Sequence, residues 1–245
     1  MPRPTRLLTV LLPAILVLAL TGCGGSASKG HSGGTSKNLT DSFPLAQASL
    51  PSYTASYAIT GPVKGSMTWT LTQGATTTGV AIHQVIGSQV EDDRIVLTRK
   101  GLRFVSAQET VTAPGHHLTI AAHVKGKRIY ETANVDGKAE AVNYPFGSRT
   151  LVNVAVLPTL AGIGVQPGQL QVVQDVILKH GVEVPIGFTA NSRTKVTTPA
   201  GTFQVVPVTL SGSGANQQAF IDTQSHVLVK YLNGQTKFSL VQLSR

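Results

Sequence analysis

Side chains able to do chemistry fall in five places along this 245-residue chain. Cys23 is the only cysteine, and a thiolate is the strongest nucleophile a side chain offers. Gly30-His31-Ser32-Gly33-Gly34 matches the G-x-S-x-G nucleophile elbow of lipases letter for letter. That elbow requires a buried strand turning sharply into a helix. The flanks here, Ser-Ala-Ser-Lys and Thr-Ser-Lys-Asn, build neither, so a catalytic serine is not expected. His116, His117 and His123 are the candidate metal ligands. Adjacent strand residues point to opposite faces, and six residues of strand separate His117 from His123 by about 20 Å, so solvated histidines are expected. Glu91-Asp92-Asp93 reads as a solvated turn, because a calcium loop spaces its ligands over about 12 residues. Asp175 and Glu183 flank a hairpin around His180-Gly181, with nothing to bring their carboxyls together. The chain carries no P-loop or dinucleotide fingerprint. The expectation is no enzyme, no cofactor and no metal.

The elements around Cys23 give it a different use. Arg3 and Arg6 make a positive start without an acid, and Leu7 to Leu20 is apolar apart from Thr9 and Pro13. About 20 apolar residues are needed to span a bilayer, so this run is short for a span and suits a secretory signal. Leu20-Thr21-Gly22-Cys23 resembles the lipobox of bacterial lipoproteins. The resemblance implies signal-peptidase recognition of Leu20, Thr21 and Gly22, a diacylglyceryl thioether on Cys23, and cleavage that makes Cys23 the first residue. Two acyl chains meet the requirement for stable anchoring, which one chain does not. The expected organisation is a signal peptide (1–22), a lipidated Gly/Ser tether (23–44) and one β-rich envelope domain (45–245). The expected address is extracytoplasmic, on the cell membrane, or on the outer membrane of a two-membrane host. The Asn38-Leu39-Thr40 sequon is incidental in such a protein.

Composition fits that organisation. Removing residues 1–22 takes away Arg3 and Arg6 and no acid, lowering the formal charge from +9 to +7. Lysines and arginines are scattered rather than gathered into a stripe, which argues against nucleic acid as a partner. Attraction to an anionic membrane or wall polymer, screened by salt, is the consequence expected of the charge. With Cys23 acylated no thiol is left for a disulfide, so the roughly 200 residues beyond the tether must be held by a core.

Those residues read as strand almost throughout. Ser66 to Thr72 alternates strictly and puts Met67, Trp69 and Leu71 on one face. Asp136-Gly137 and Asn233-Gly234 sit between strand candidates as type I′ hairpin signals. The segment 149–164, RTLVNVAVLPTLAGIG, breaks the pattern and predicts one or two short buried helices. The fold class expected is mainly β: a curved antiparallel sheet or half-barrel with the helices packed on its concave side.

Val196-Thr197-Thr198-Pro199-Ala200-Gly201-Thr202-Phe203 predicts a three-residue hairpin with a bulge. With Leu157-Pro158, Pro167-Gly168, Asp222 and Leu228-Val229, it resembles a family of bacterial envelope domains of unassigned activity. That resemblance spans about Ala55 to Leu243 and implies a curved sheet akin to lipoprotein carriers, with no catalytic residue. The function expected is binding of an apolar or lipid-like ligand by a membrane-anchored lipoprotein, with Met67, Trp69, Leu71 and Phe203 as cavity candidates. The alternative is a non-catalytic scaffold or protein-interaction module with a filled core. The membrane, through the lipid, is the one partner expected outright.

Overall fold

The computed structural model describes residues 48–148, 150–168, 170–178, 182–212 and 217–245. The signal, the lipobox residues Leu20, Thr21, Gly22 and Cys23, the tether and the G-x-S-x-G match lie outside them. Eight strands come first: β1 Tyr53–Thr60, β2 Gly65–Gln73, β3 Thr77–Ile86, β4 Gln89–Thr98, β5 Phe104–Ala113, β6 His116–Lys125, β7 Arg128–Val135 and β8 Lys138–Pro145. A short β9, Thr150–Val152, leads through a 3-10 turn at Asn153–Ala155 into helix α1, Val156–Ile163. Seven strands follow: β10 Leu170–Ile177, β11 Val182–Ala190, β12 Thr194–Thr198, β13 Gly201–Ser211, β14 Gln217–Asp222, β15 Val227–Asn233 and β16 Thr236–Ser244.

The strands form one sheet in the order β8-β7-β6-β5-β4-β3-β2-β1-β16-β15-β14-β13-β11-β10-β9, with β12 paired to β13 off this path. Pairing is antiparallel except between β9 and β10. The parallel pair departs from a plain meander: parallel neighbours need a crossover of a dozen or more residues, and α1 is that crossover.

Curvature follows from connectivity. Fifteen strands at about 4.8 Å spacing would make a flat sheet about 67 Å wide. Yet the two edge strands, β8 and β9, are joined through residues 146–149 alone, a reach of at most about 18 Å. The sheet therefore curls until its edges nearly meet, while remaining open. Arg103 pins this join: its Nη1 donates to Ser148 O and its Nη2 to Gly147 O, both at 2.6 Å, and its guanidinium lies 4.4 Å from the Phe146 ring centre.

The core lies inside the curl. The face of β2 that carries Met67, Trp69 and Leu71 is buried, as its alternation predicts, and continues into Ile95 and Leu97 of β4 and Phe238 and Leu240 of β16. Within the predicted helical segment, residues 150–152 pair as β9 and helical structure begins at residue 153. Pro158 sits in the first turn of α1, where its missing N–H costs no hydrogen bond. The helix stops at Gly164, which takes the left-handed conformation at φ +67°. Two of its last carbonyls are held from outside: Ala161 O accepts from His226 Nδ1 at 3.0 Å, and Gly162 O accepts from Ser49 N at 3.2 Å.

Two turns differ from expectation. Asp136-Gly137 has positive φ at both residues, as type I′ requires. The other loop is Gly234-Gln235, one residue later than the sequence pairing, and only Gly234 has positive φ. The hairpin of Pro199-Ala200 is a two-residue loop closed by Thr198 opposite Gly201, not a three-residue loop with a bulge.

Candidate functional site

Where α1 and the 3-10 turn lie against the concave face, they leave a pocket open to solvent. Its walls are apolar: Met67, Trp69 and Ile82 from β2 and β3, Leu157 and Pro158 from α1, and Phe238 from β16. Its polar groups are Gln84, Glu91, Asp93, Asn153, Tyr231 and Asn233. The cavity volume is about 70 Å³. Of the four sequence candidates, Met67 and Trp69 line this pocket. Leu71 lies one inward position further along β2 as ordinary core, and Phe203 is half-buried on β13, away from the pocket.

The apolar wall is preorganised. Trp69 Nε1 donates to Met67 Sδ at 3.3 Å, and the Trp69 ring meets Tyr57 edge-on with centres 5.8 Å apart. Across the pocket, Tyr231 and Phe238 pack at 5.6 Å. Such aromatic pairs add about 0.5–1.5 kcal/mol beyond area burial.

The polar floor overturns one reading of the sequence. Glu91-Asp92-Asp93 is not a solvated turn; it runs through the middle of β4. Alternation sends Asp92 outward, where His83 Nδ1 stands 2.7 Å away, and sends Glu91 and Asp93 inward. Register then sets Gln84 of β3 beside Glu91, and Glu109 of β5 beside Asp93. Glu91, Asp93 and Glu109 are all buried, and one carboxylate oxygen from each lies within 4.8 Å of the other two. Gln84 Nε2 donates to Glu91 Oε2 at 3.2 Å, while Asp93 Oδ1 has no hydrogen-bond partner.

Electrostatics follow from that crowding. Burial holds the Glu91 carboxyl well above the usual carboxylate range, helped by Asp93, Glu109 and Asp92. Burial, then Glu109 and Asp92, push Asp93 up to about 8. Among the described residues the charges that shift Glu91 and Asp93 are carboxylates, and each raises the cost of ionising the next.

Two residues that line the pocket each carry a buried polar atom without a partner. Asn153 Oδ1 accepts from Leu178 N at 3.2 Å, but its Nδ2 donates to nothing. The Tyr231 hydroxyl is likewise unpaired. Their residues are 1% and 3% exposed, and an unmet buried donor costs about 1–3 kcal/mol.

The remaining candidates stay apart. His116 Nδ1 lies 3.1 Å from Asp136 Oδ2, His117 Nδ1 lies 3.3 Å from Thr112 Oγ1, and the His123 ring stacks on Tyr130 at 5.8 Å. Asp175 is buried in β10, with Val184 opposite in the register and Glu183 one residue further on β11. Among the described residues the Glu91–Asp93–Glu109 group is the only cluster of metal-ligating type. The sequence signal for it was the period of two: Glu91, Asp93, Ile95 and Leu97 occupy one face, and the last two are plainly core.

Fold and pocket together define an open, curled antiparallel sheet that folds its edges around a short helix and keeps an acid-floored pocket on its concave side. A β-barrel-like protein of domain of unknown function DUF1849 from Brucella abortus shares this architecture, with a TM-score of 0.56 and 12% identity over 80% of this chain and 98% of that one. At that identity the likeness is one of fold. Two further solved structures align with lower scores. They are a candidate lipoprotein from Parabacteroides distasonis (TM-score 0.32, 10% identity, 82% and 98% covered) and a candidate exported protein with a YmcC-like fold from Bacteroides fragilis (0.30, 8%, 81% and 98%). No protein-family model and no curated protein matches the sequence.

Proposed function

We propose that this protein is an exported lipoprotein, held to a membrane through Cys23, whose sheet binds one end of an apolar or lipid-like ligand and does not transform it. The observation that carries the reading is the pocket between α1 and the concave face, with Met67, Trp69, Leu157 and Phe238 as walls. Its 70 Å³ is far below the roughly 300–1,000 Å³ of a site that encloses a drug-sized ligand. A ligand would therefore seat one end there and leave its chain along the open mouth. The same small volume favours the second reading, a scaffold with a filled core that meets an envelope protein through its outer surface.

Mass spectrometry of protein extracted from native membranes in a non-ionic detergent separates the two. The binding reading expects one co-purifying amphiphile per chain, and a change in Trp69 emission when it is stripped. No co-purifying molecule together with unchanged emission leaves the scaffold. The anchor is tested separately: Cys23→Ala should move the protein from the membrane fraction to the soluble one, and retention by the variant would refute it.

A further inference from the structure

Cations that are scattered along the sequence meet at one end of the sheet. β1 to β8 pair in sequence order and antiparallel, so every second turn falls at the same end. The β2–β3, β4–β5 and β6–β7 turns and the chain leaving β8 share one end; the β1–β2, β3–β4, β5–β6 and β7–β8 turns share the other. Arg99 and Lys100 lie in the β4–β5 turn, and Lys125, Lys127 and Arg128 in and beside the β6–β7 turn. All five are exposed. Two strand spacings separate these turns, or about 10 Å. That is close to one Debye length at physiological salt, so a charged surface meets the two turns together.

Nothing at this end offsets the charge. Residues 73–77, 98–103, 125–128 and 145–148 contain no aspartate or glutamate. Among the described residues the ion pairs join His83 to Asp92 and His116 to Asp136, and none takes up one of the five cations. The turns at the other end, 61–64, 87–88, 114–115 and 136–137, carry one cation, Lys64, and one acid, Asp136.

A second observation, independent of charge, orients the basic end. The chain enters the described fold there: Gly101 N, in the β4–β5 turn, donates to Ala48 O at 3.0 Å. Residues 24–47 alone lie between Cys23 and Ala48. A lipid on Cys23 therefore draws this end toward the bilayer and makes its docking there an intramolecular event.

We infer that the end carrying Arg99, Lys100, Lys125, Lys127 and Arg128 docks on anionic phospholipid headgroups of the membrane that holds the protein. The inference rests on the proposed anchor for its orientation, and it adds a contact that the anchor does not need.

The purified lipidated protein is placed in vesicles of phosphatidylcholine alone or with 30% phosphatidylglycerol. A donor fluorophore is attached through Thr76→Cys in the β2–β3 turn or Ser88→Cys in the β3–β4 turn, both exposed positions. Energy transfer to a headgroup-labelled lipid reads which end lies on the membrane. The expected result is strong transfer from position 76 and weak transfer from position 88, on phosphatidylglycerol vesicles only and lost in 0.5 M salt. Each cation near an anionic surface strengthens binding by about fivefold, so Lys100→Gln, Lys125→Gln and Lys127→Gln combined should lower the docked-to-undocked ratio by about 100-fold. Lys64→Gln at the other end should leave it unchanged. None of the three lysine side chains holds a described hydrogen bond, so the variant should fold, and far-UV circular dichroism checks that it does. Transfer from position 76 that ignores phosphatidylglycerol, or that survives the triple change, overturns the inference. Stronger transfer from position 88 also overturns it. Binding of poly(glycerol phosphate) in place of phosphatidylglycerol vesicles overturns it in favour of a wall polymer. Loss of the protein from phosphatidylcholine vesicles refutes the anchor alone, since transfer on phosphatidylglycerol vesicles still reads the docking.

Discussion

Asp175 on β10 is 1% exposed, and its Oδ1 has no hydrogen-bond partner. Burial pushes its carboxyl up to about 7, against about 3.9 in an unfolded chain. Between those values the folded protein holds a proton that the unfolded chain has lost. Folding then takes up a proton, and stability falls as pH rises through that window. Asp175→Asn removes the titration. The variant should match the parent near pH 4 and exceed it at pH 8 by roughly 2–4 kcal/mol, read as a higher Tm in thermal unfolding. A parent–variant gap that stays constant across that range would refute the assignment. At this scale the sequence misled where polarity was taken for exposure. Glu91 and Asp93 carry the same letters as a surface turn, and only their register with Ile95 and Leu97 betrays an inward face. Glu109 could not be found at all without the β4–β5 pairing that sets it beside Asp93. The inward face of Met67 and Trp69 was legible because strict alternation fixes a face, whereas the placing of Phe203 on β13, outside the pocket, was not, because a shared hydrophobic character says nothing about which part of a curled sheet a strand occupies.

Elements depend on a few close approaches. Gly162, near the end of α1, lies where residues 48–50 cross the helix. A Cβ there would stand 2.1 Å from Leu102 Cδ1, 3.1 Å from Leu50 Cγ and 3.2 Å from Ser49 O. Leu50 and Leu102 are both fully buried, so they have little room to yield. Gly162→Ala should cost about 1–3 kcal/mol as overpacking, despite alanine's better helix propensity. Limited proteolysis should then cut near residues 48–50 before the sheet unfolds. Arg103 is the second such point. Arg103→Lys keeps the charge but loses the fork that reaches Ser148 O and Gly147 O together. The expected cost is about 1–2 kcal/mol, with faster proteolytic cleavage within 146–150 as the readout. Hairpins and helix were visible in the sequence because turn residues and apolar runs act locally. The parallel β9–β10 pair was not, since three residues carry too little pattern to announce a strand.

For the whole molecule, the sequence announced a mainly β, curved sheet but not its extent or order. Alternation and turn signals are local, while the closure of edges β8 and β9 around α1 depends on contacts far apart in the chain. β1 and β16 show the point most clearly: Thr54 faces Ser244 in the middle of the sheet. β16 follows every other strand in the sequence, yet it bridges β1 to β15 and so joins the two halves of the sheet. Folding must therefore wait for that segment. A chain delivered N-terminus first completes β1 to β8 as a stack of local hairpins, then keeps one flank of β1 without a ladder until the final strand arrives. During that interval the uncovered flank is a template for any extended peptide nearby. This one gap would need chaperoning while the chain folds, and a chain cut short before Thr236 should accumulate as sticky half-sheets.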